Sequence, residues 1–302
     1  MGFGSHAKGC LALLTATAGP PQKGVGRLCA KSGHSTTGLP QNSWNNGYYP
    51  GNRQSGESIM DQPDSFISHK FKTLDGNCWR SLESSKFYFP APEKLNDPAD
   101  CQIDLAKAFR LARVNPSPRE ERLFSAVASR IESLASECGV FSLSSGSIDG
   151  NKERLLWAHY ANNHTGICLT FEIPDSFVVE RLVGCAPVQY SHDSLFEALK
   201  QLDLSRSPDF DNDLKPIVTA FLTTKSPEWS YEKEARLISF SPGEQEFDPG
   251  WLKQICFGLR TSDADRKRVK ELAAKYPNCG LIEAVKSEND LFRLSLREVS
   301  NT

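Results

Sequence analysis

Three charged residues alternate along one short segment, in the order Glu232, Glu234 and Arg236. We predict a strand over residues 232–240, and successive strand side chains point to opposite faces, so these three share one face. Neighbouring carboxylates raise each other's pKa unless a cation lies close, and Arg236 or Lys225 could be that cation. Two interpretations stay open. The group is an exposed salt-bridge ladder on the rim of a sheet, or it is a catalytic Glu with a helper Glu.

Other polar residues with chemical potential are scattered along the chain: Lys70, Asn96, Asp97, Ser142, Ser144, His159 and Tyr160. The lysine lies in a predicted early strand, and the two serines share one face of the predicted strand GVFSLSS. The His and Tyr belong to a predicted helix with the sequence WAHY. Asn-Asp-Pro is typical of a plain turn. The chain has no H-E-x-x-H, G-x-S-x-G or Walker A motif, so the best-known hydrolase and nucleotide signatures are excluded.

The elements that must position these residues predict an α+β domain. Strands are predicted at residues 67–74, 86–92, 139–145 and 166–173, and again near 254–260, 280–286 and 290–299. Helices are predicted from the capping box at residues 117–120, over WAHY, and before and after the Lys225 segment. Several strands are too close in sequence for helical crossovers. We therefore expect a single domain with a mixed, largely antiparallel sheet flanked by helices.

Composition divides the chain into two parts. Residues 1–59 are rich in Gly, Ser, Pro and Asn and have no apolar periodicity, which predicts a disordered, low-complexity tail. Globular composition begins near Met60, the only methionine after Met1. We expect residues 60–302 to form the folded domain, with Met60 as the possible true start.

Charge and cysteine usage limit the location and the partners. The net charge of −2 provides no general basic field for nucleic acid or an anionic membrane. No apolar run reaches the length of a membrane-spanning helix. The nine cysteines form no C-x-x-C pair and no zinc-finger pattern, which suits a reducing cytosol. We expect a cytoplasmic, soluble protein that binds neither membranes nor nucleic acid in general.

Five segments together resemble the bacterial domain-of-unknown-function 2971 family: ISHKFK, KFYFPAPEKLNDPAD, LLWAHYANNHTGICLTFE, KSPEWSYEKEARLI and ICFGLR. They occur in the family's order and extend from about Phe66 to the C-terminus. The most distinctive parts are W-x-x-Y-x-x-x-x-x-G and K-x-x-x-W-x-x-E-x-E-x-R. The family's name implies no activity.

A second resemblance is to ADP-ribosyltransferases of the Arg-Ser-Glu type, which carry a basic residue on the first strand, an S-x-S strand and a late E-x-E. By this resemblance NAD⁺ is the substrate, and Glu234 holds the ribose hydroxyl and stabilises the ribosyl cation. Glu232 orients or deprotonates the acceptor, Ser144 braces Glu234, and Lys70 holds the phosphates. The first-strand residue is Lys where this type has Arg, which loses the bidentate contact. Neighbouring His69 is the alternative counterpart, as in the His-bearing type.

Two other functions stay open. One is a non-catalytic module that recognises a nucleotide or a partner through WAHY and the Glu pair. The other is a hydrolase or nuclease that holds a divalent metal with Asp97, Glu232 and Glu234. NAD⁺ turnover would separate the transferase from both, and metal dependence of hydrolysis would separate the last two.

We predict that residues 1–59 contribute nothing to the stability of the fold, because a segment without an apolar face cannot offset its ordering entropy. A chain that begins at Met60 should melt at the same temperature as the full chain. A melting temperature lower by several degrees would show that the segment packs on the domain.

Overall fold

The computed structural model describes residues 65–113, 115–148, 153–191, 193–206, 208–209 and 213–299. The predicted tail, residues 1–59, and Met60 lie outside these ranges. The strands in chain order are β1 (Ser65–Lys72), β2 (Lys86–Phe89), β3 (Gly139–Ser144), β4 (Ile167–Pro174), β5 (Gly184–Pro187), β6 (Gln189–Tyr190), β7 (Thr224–Lys225), β8 (Glu234–Ser239), β9 (Gly243–Glu246), β10 (Leu252–Phe257), β11 (Gly280–Lys286) and β12 (Leu294–Glu298). The α-helices are α1 (Gly76–Ser84), α2 (Leu105–Ala112), α3 (Pro118–Ser136), α4 (Arg154–Tyr160), α5 (Asp175–Arg181), α6 (Ser194–Gln201), α7 (Lys215–Thr223) and α8 (Asp263–Ala273).

Eight strands form one sheet in the order β12-β11-β10-β4-β1-β3-β8-β5. Neighbouring strands are antiparallel except β10 and β11, which are parallel. Two-stranded sheets, β2-β9 and β6-β7, lie beside it. The predicted α+β class with a mixed, largely antiparallel sheet is therefore confirmed. The sequence did not predict α2, α5, β5, β6, β7 or β9.

Alternation along the strands separates two faces of the large sheet. On β4, the four apolar residues Ile167, Leu169, Phe171 and Ile173 face one cluster, which α1, α5, α8 and the β2-β9 pair complete. Cys168 faces the opposite side, where α4 packs, and the helices α2, α3, α6 and α7 cover the β3–β8 end of that same side. The strand predicted at residues 166–173 is thus confirmed, and both of its faces are buried.

The predicted strand over 232–240 is wrong at its first two residues. A 3₁₀ helix, Pro227–Glu232, begins after Ser226 and includes Glu232. Lys233 then takes a left-handed conformation (φ 45°), and β8 starts at Glu234. The backbone N–H and the hydroxyl of Ser145 both donate to the Lys233 carbonyl, each at 2.9 Å, and hold this reversal. A proline-led helical turn therefore replaces the start of the strand.

Helix α4 docks on the sheet through a fully buried tryptophan. Trp157 is 0% exposed, and its ring meets Phe71 of β1 edge to face with centroids 5.1 Å apart. Leu156 is also buried, whereas Tyr160 is half-buried. Through this contact α4 fixes the position of Tyr160 relative to β1. No helix in the described ranges combines the length and apolar character needed to span a membrane.

Replacing Trp157 by Ala should lower the free energy of unfolding by about 3–5 kcal/mol, because a large aromatic side chain leaves a cavity in a packed site. Leu155→Ala, on the same helix but 44% exposed, is the matched control and should change stability by less than ~1 kcal/mol. Urea unfolding of both variants checks this. Equal losses would contradict the docking role of Trp157.

Candidate functional site

A cleft opens where β1 and β3 separate. Within the described residues these strands pair at His69 and Ser144 only. In the gap beyond that pair, the Lys70 ammonium donates to the Ser142 carbonyl at 2.6 Å. The resulting cavity has a volume of about 590 Å³. Eight of the predicted site residues line it: Lys70, Asn96, Ser142, Ser144, Tyr160, Lys225, Glu232 and Glu234.

A row of polar side chains crosses four neighbouring strands, and its members on β1, β3 and β8 line the cleft. Thr170 of β4 is opposite His69 of β1, which is opposite Ser144 of β3, which is opposite Glu234 of β8. Directly opposed residues in antiparallel strands share one face. His69, the alternative first-strand residue, is therefore in the same row as Ser144 and Glu234. Lys70 belongs by alternation to the opposite face and reaches the cleft through the gap.

Glu234 is a buried, ionised carboxylate. Arg236 donates from Nε to Oε1 at 2.8 Å and from Nη2 to Oε2 at 3.2 Å, and Lys225 Nζ is 3.2 Å from Oε2. Burial opposes ionisation, but Arg236 and Lys225 outweigh it and lower the pKa from its ordinary value of 4.5 to about 2. A hydrogen bond from Ser142 also contributes. Ser142, rather than the predicted Ser144, therefore forms the hydrogen bond that braces Glu234.

Glu232 joins the same group from the end of the 3₁₀ helix. Lys225 Nζ donates to its Oε2 at 2.6 Å, and the Tyr160 hydroxyl donates to its Oε1 at 2.5 Å. Burial and the neighbouring Glu232 charge raise the pKa of Tyr160, so Tyr160 keeps its proton at neutral pH. Ser144 Oγ donates to the Glu232 carbonyl at 2.8 Å. Lys225 therefore holds both carboxylates of the predicted pair, while the S-x-S strand contacts the Glu234 carboxylate through Ser142 and the Glu232 backbone through Ser144.

Asp100 is a member of this group that the sequence interpretation missed. It is buried, accepts from Arg236 Nη2 at 2.5 Å, and is 3.7 Å from Lys225 Nζ. Asp97, which was predicted instead, accepts the backbone N–H of Ala99 in a local turn and is not among the residues that line the cleft. The signal for Asp100 was its place just after the Asn-Asp-Pro turn, but no spacing distinguished it.

The burial of Glu232 and Glu234 tests whether they belong to an exposed salt-bridge ladder. Glu232 and Glu234 are each 5% exposed, and Arg236 is 0% exposed. An exposed ladder on the rim of the sheet is therefore wrong. Three carboxylates share two cations, Lys225 and Arg236, inside the protein, where such interactions are stronger than in water.

Two basic residues of β1, Lys70 and His69, carry less positive charge at neutral pH than they would in water. Burial, and next the charge of Lys72, lower the pKa of Lys70 to about 7, although Glu234 and Glu232 oppose the shift. Burial lowers the pKa of His69 to about 4, and its Nδ1 is 3.0 Å from Thr170 Oγ1. His69 is therefore neutral, and Lys70 is about half protonated at pH 7.

Two predicted residues occupy the periphery. His159 is exposed and lies outside the cleft, with its ring centroid 6.2 Å from Trp229 and 6.4 Å from Tyr231. Asn96 lines the cleft and forms a side-chain hydrogen bond with Tyr160. Another neighbour that the sequence did not indicate is Tyr190, whose hydroxyl accepts the Glu234 N–H at 2.6 Å. The WAHY helix thus contributes Tyr160, but not His159, to the site.

The metal-dependent alternative required Asp97, Glu232 and Glu234 to gather around an ion. Among the residues that the structure describes, no group of three or more His, Cys, Asp or Glu side chains is placed to hold a metal. Lys225 and Arg236 occupy the positions beside the carboxylates instead. The three ligands predicted for a metal therefore do not come together.

Arg236→Met should lower the free energy of unfolding at pH 7 by about 3–5 kcal/mol, because it leaves buried carboxylates without their cation. In the parent, the folded-state pKa of Glu234 lies below its unfolded value, so its contribution exists above pH 4.5 and is lost as pH falls towards 2. In the variant, Glu234 binds a proton at higher pH, so the deficit should shrink between pH 7 and pH 3.

Urea unfolding across this pH range checks both statements. Arg297→Met is the matched control, since Arg297 forms an exposed ion pair with Glu283, and it should change stability little. A deficit for Arg236→Met that does not vary with pH would contradict the role of buried charge.

Comparison with known proteins gives one match. The model of the family described as "Protein of unknown function (DUF2971)" matches residues 156–237, from the WAHY helix into β8. Searches of curated proteins and of solved structures returned no match, so the resemblance to ADP-ribosyltransferases stays a prediction. The chain is thus similar to the DUF2971 family over the segment that carries Tyr160, Lys225, Glu232 and Glu234.

Proposed function

We propose that the cleft binds NAD⁺, breaks its bond between nicotinamide and ribose, and transfers ADP-ribose to an acceptor. The observation that carries this proposal is the polar row formed by His69, Ser144 and Glu234 on three neighbouring strands. A basic residue, an S-x-S strand and an E-x-E segment come from three distant parts of the sequence and meet at one cavity. Chance matches of such short patterns would have no reason to converge.

The charge of Glu234 suits the chemistry. In the proposed reaction the bond from C1′ of the ribose to the nicotinamide nitrogen breaks, and its electron pair leaves with neutral nicotinamide. The ribose then carries positive charge, which a fixed carboxylate in a water-poor site stabilises. With a pKa of about 2, Glu234 is ionised throughout the neutral range.

Glu232 is the proposed base for the acceptor. A nucleophilic atom of the acceptor forms the new bond to C1′, and its proton passes to the Glu232 carboxylate. Tyr160 and Lys225 fix that carboxylate through hydrogen bonds of 2.5 and 2.6 Å, so the two carboxylates keep a constant separation. General base catalysis of this kind depends on such positioning.

We assign the role of the basic residue on the first strand to His69 together with Lys70. His69 is in the row with Ser144, and its neutral ring can exchange hydrogen bonds with ribose hydroxyls. Lys70 approaches from the other face and, being only partly protonated, is a weaker phosphate ligand than the resemblance implied. This division supports the His-bearing type over the Arg-bearing type.

A non-catalytic nucleotide-binding role is the second candidate, and one observation favours it. Both carboxylate oxygens of Glu234 already accept hydrogen bonds from Arg236, and Lys225 adds a further contact. A ribose hydroxyl would have to share these oxygens. Under this alternative, the carboxylates orient a nucleotide without reacting.

Glu234→Gln should lower the rate of nicotinamide release about 10²–10³-fold, because it removes the charge that faces the ribosyl cation. Glu283→Gln is the matched control, since Glu283 also pairs with two arginines, Arg266 and Arg297, but lies on β11 away from the cleft. The assay measures nicotinamide release from NAD⁺ with water and with varied acceptors, at a temperature where melting curves show each variant folded.

Turnover by the parent with loss in Glu234→Gln and retention in Glu283→Gln would support the transferase. Binding of NAD⁺ by the parent without any nicotinamide release would favour the non-catalytic candidate. Neither binding nor release by the parent would overturn both.

A further inference from the structure

The lining of the cleft has more positive than negative residues. It includes six Lys or Arg residues and four Asp or Glu residues, whereas the whole chain has a net charge of −2. The carboxylates have partners: Glu244 pairs with Lys86, and the three buried ones, Asp100, Glu232 and Glu234, pair with Lys225. The excess positive charge is therefore concentrated in the remaining side chains.

Four lining cations remain after these pairs are removed: Lys70, Lys72, Arg80 and Lys94. In the described part of the chain, no carboxylate lies within 4 Å of their charged nitrogens. Lys70 and Lys72 are two residues apart on β1 and therefore share a face, and the charge of Lys72 lowers the pKa of Lys70. The charges repel one another until an anion lies between them.

The four lining cations come from three separate elements. Lys72 ends β1, Arg80 lies on α1, and Lys94 ends the 3₁₀ helix Pro92–Lys94. Arg80 and Lys94 are exposed, whereas Lys72 is half-buried. Asn77, one turn before Arg80 on α1, adds an amide to the lining. A bound anion would therefore meet donors from three separate elements.

An exposed aromatic ring also lines the cleft. Tyr88 of β2 lines the cavity although it is 52% exposed, which is uncommon for a large aromatic side chain without a partner surface. Tyr88 is directly opposite Glu244 on β9. A flat heterocycle can stack on such a ring, and this stacking does not depend on the identity of the base.

We propose that Lys72, Arg80 and Lys94 form a diphosphate-binding subsite at the mouth of the cleft, with Tyr88 as the stacking surface for the base. The ligand class is a nucleoside diphosphate or a molecule that contains one. The cavity of about 590 Å³ is in the range of small-molecule sites. The subsite rests on the proposed function only where it identifies the ligand as NAD⁺, whose diphosphate would lie here while its nicotinamide ribose meets Glu234.

Calorimetric titration of the full chain with ADP, adenosine and inorganic pyrophosphate tests the subsite. We expect ADP to bind more tightly than adenosine, pyrophosphate to compete with ADP, and added salt to weaken ADP binding. Arg80→Glu should weaken ADP binding about tenfold to a hundredfold, since charge-assisted hydrogen bonds are lost. Arg110→Glu is the matched control, because Arg110 is exposed on α2 and does not line the cleft.

Tyr88→Ala should weaken ADP and adenosine binding but leave pyrophosphate binding unchanged. Equal affinity for ADP and adenosine, no binding of either, or equal effects of Arg80→Glu and Arg110→Glu would overturn the subsite. ADP binding without nicotinamide release would overturn the proposed reaction and leave the subsite intact. Nicotinamide release with an unchanged KM for NAD⁺ in Arg80→Glu would overturn the subsite and leave the proposed reaction intact.

Discussion

The buried guanidinium of Arg236 is the constraint on which the centre of this protein depends. It is 0% exposed, and it binds Glu234 of its own strand, Asp100 of the loop before α2, and the Leu222 carbonyl at the end of α7. Removing a cation from water is costly unless its hydrogen bonds are satisfied inside the protein. Three separate segments must therefore be in place before the sheet can close around it.

The same constraint positions the candidate site. The Lys225 ammonium lies within 4 Å of carboxylate oxygens of Asp100, Glu232 and Glu234. The Tyr160 hydroxyl donates a further hydrogen bond to Glu232. The two carboxylates that the proposed reaction needs, Glu232 and Glu234, are thus also part of a buried ionic network. Stability and function are coupled here, and activity measurements on these residues require a parallel measurement of folding.

The separation of β1 from β3 gives this network access to a ligand. A continuous ladder would bury the row from His69 to Glu234 within a covered sheet, but the gap opens a passage between its two faces. Lys225 and Arg236 partly neutralise the three buried carboxylates, and lining cations without a carboxylate partner add positive charge to the same cleft. A molecule with a polar, hydroxyl-bearing end and an anionic middle matches this polarity, as the proposed dinucleotide does.

The sequence by itself determined the elements with strong local signals. The capping box at Ser117 and the strand predicted at residues 166–173 depend on local sequence, and both are confirmed by the structure. Tertiary structure decided the rest. Glu232 left the predicted strand because Ser145 stabilises a left-handed Lys233, and Asp100 replaced Asp97 because it alone reaches Arg236. Whether Glu232 and Glu234 lie on the rim of the sheet or inside the core depends on which distant segments cover them. Local spacing in the sequence does not determine this.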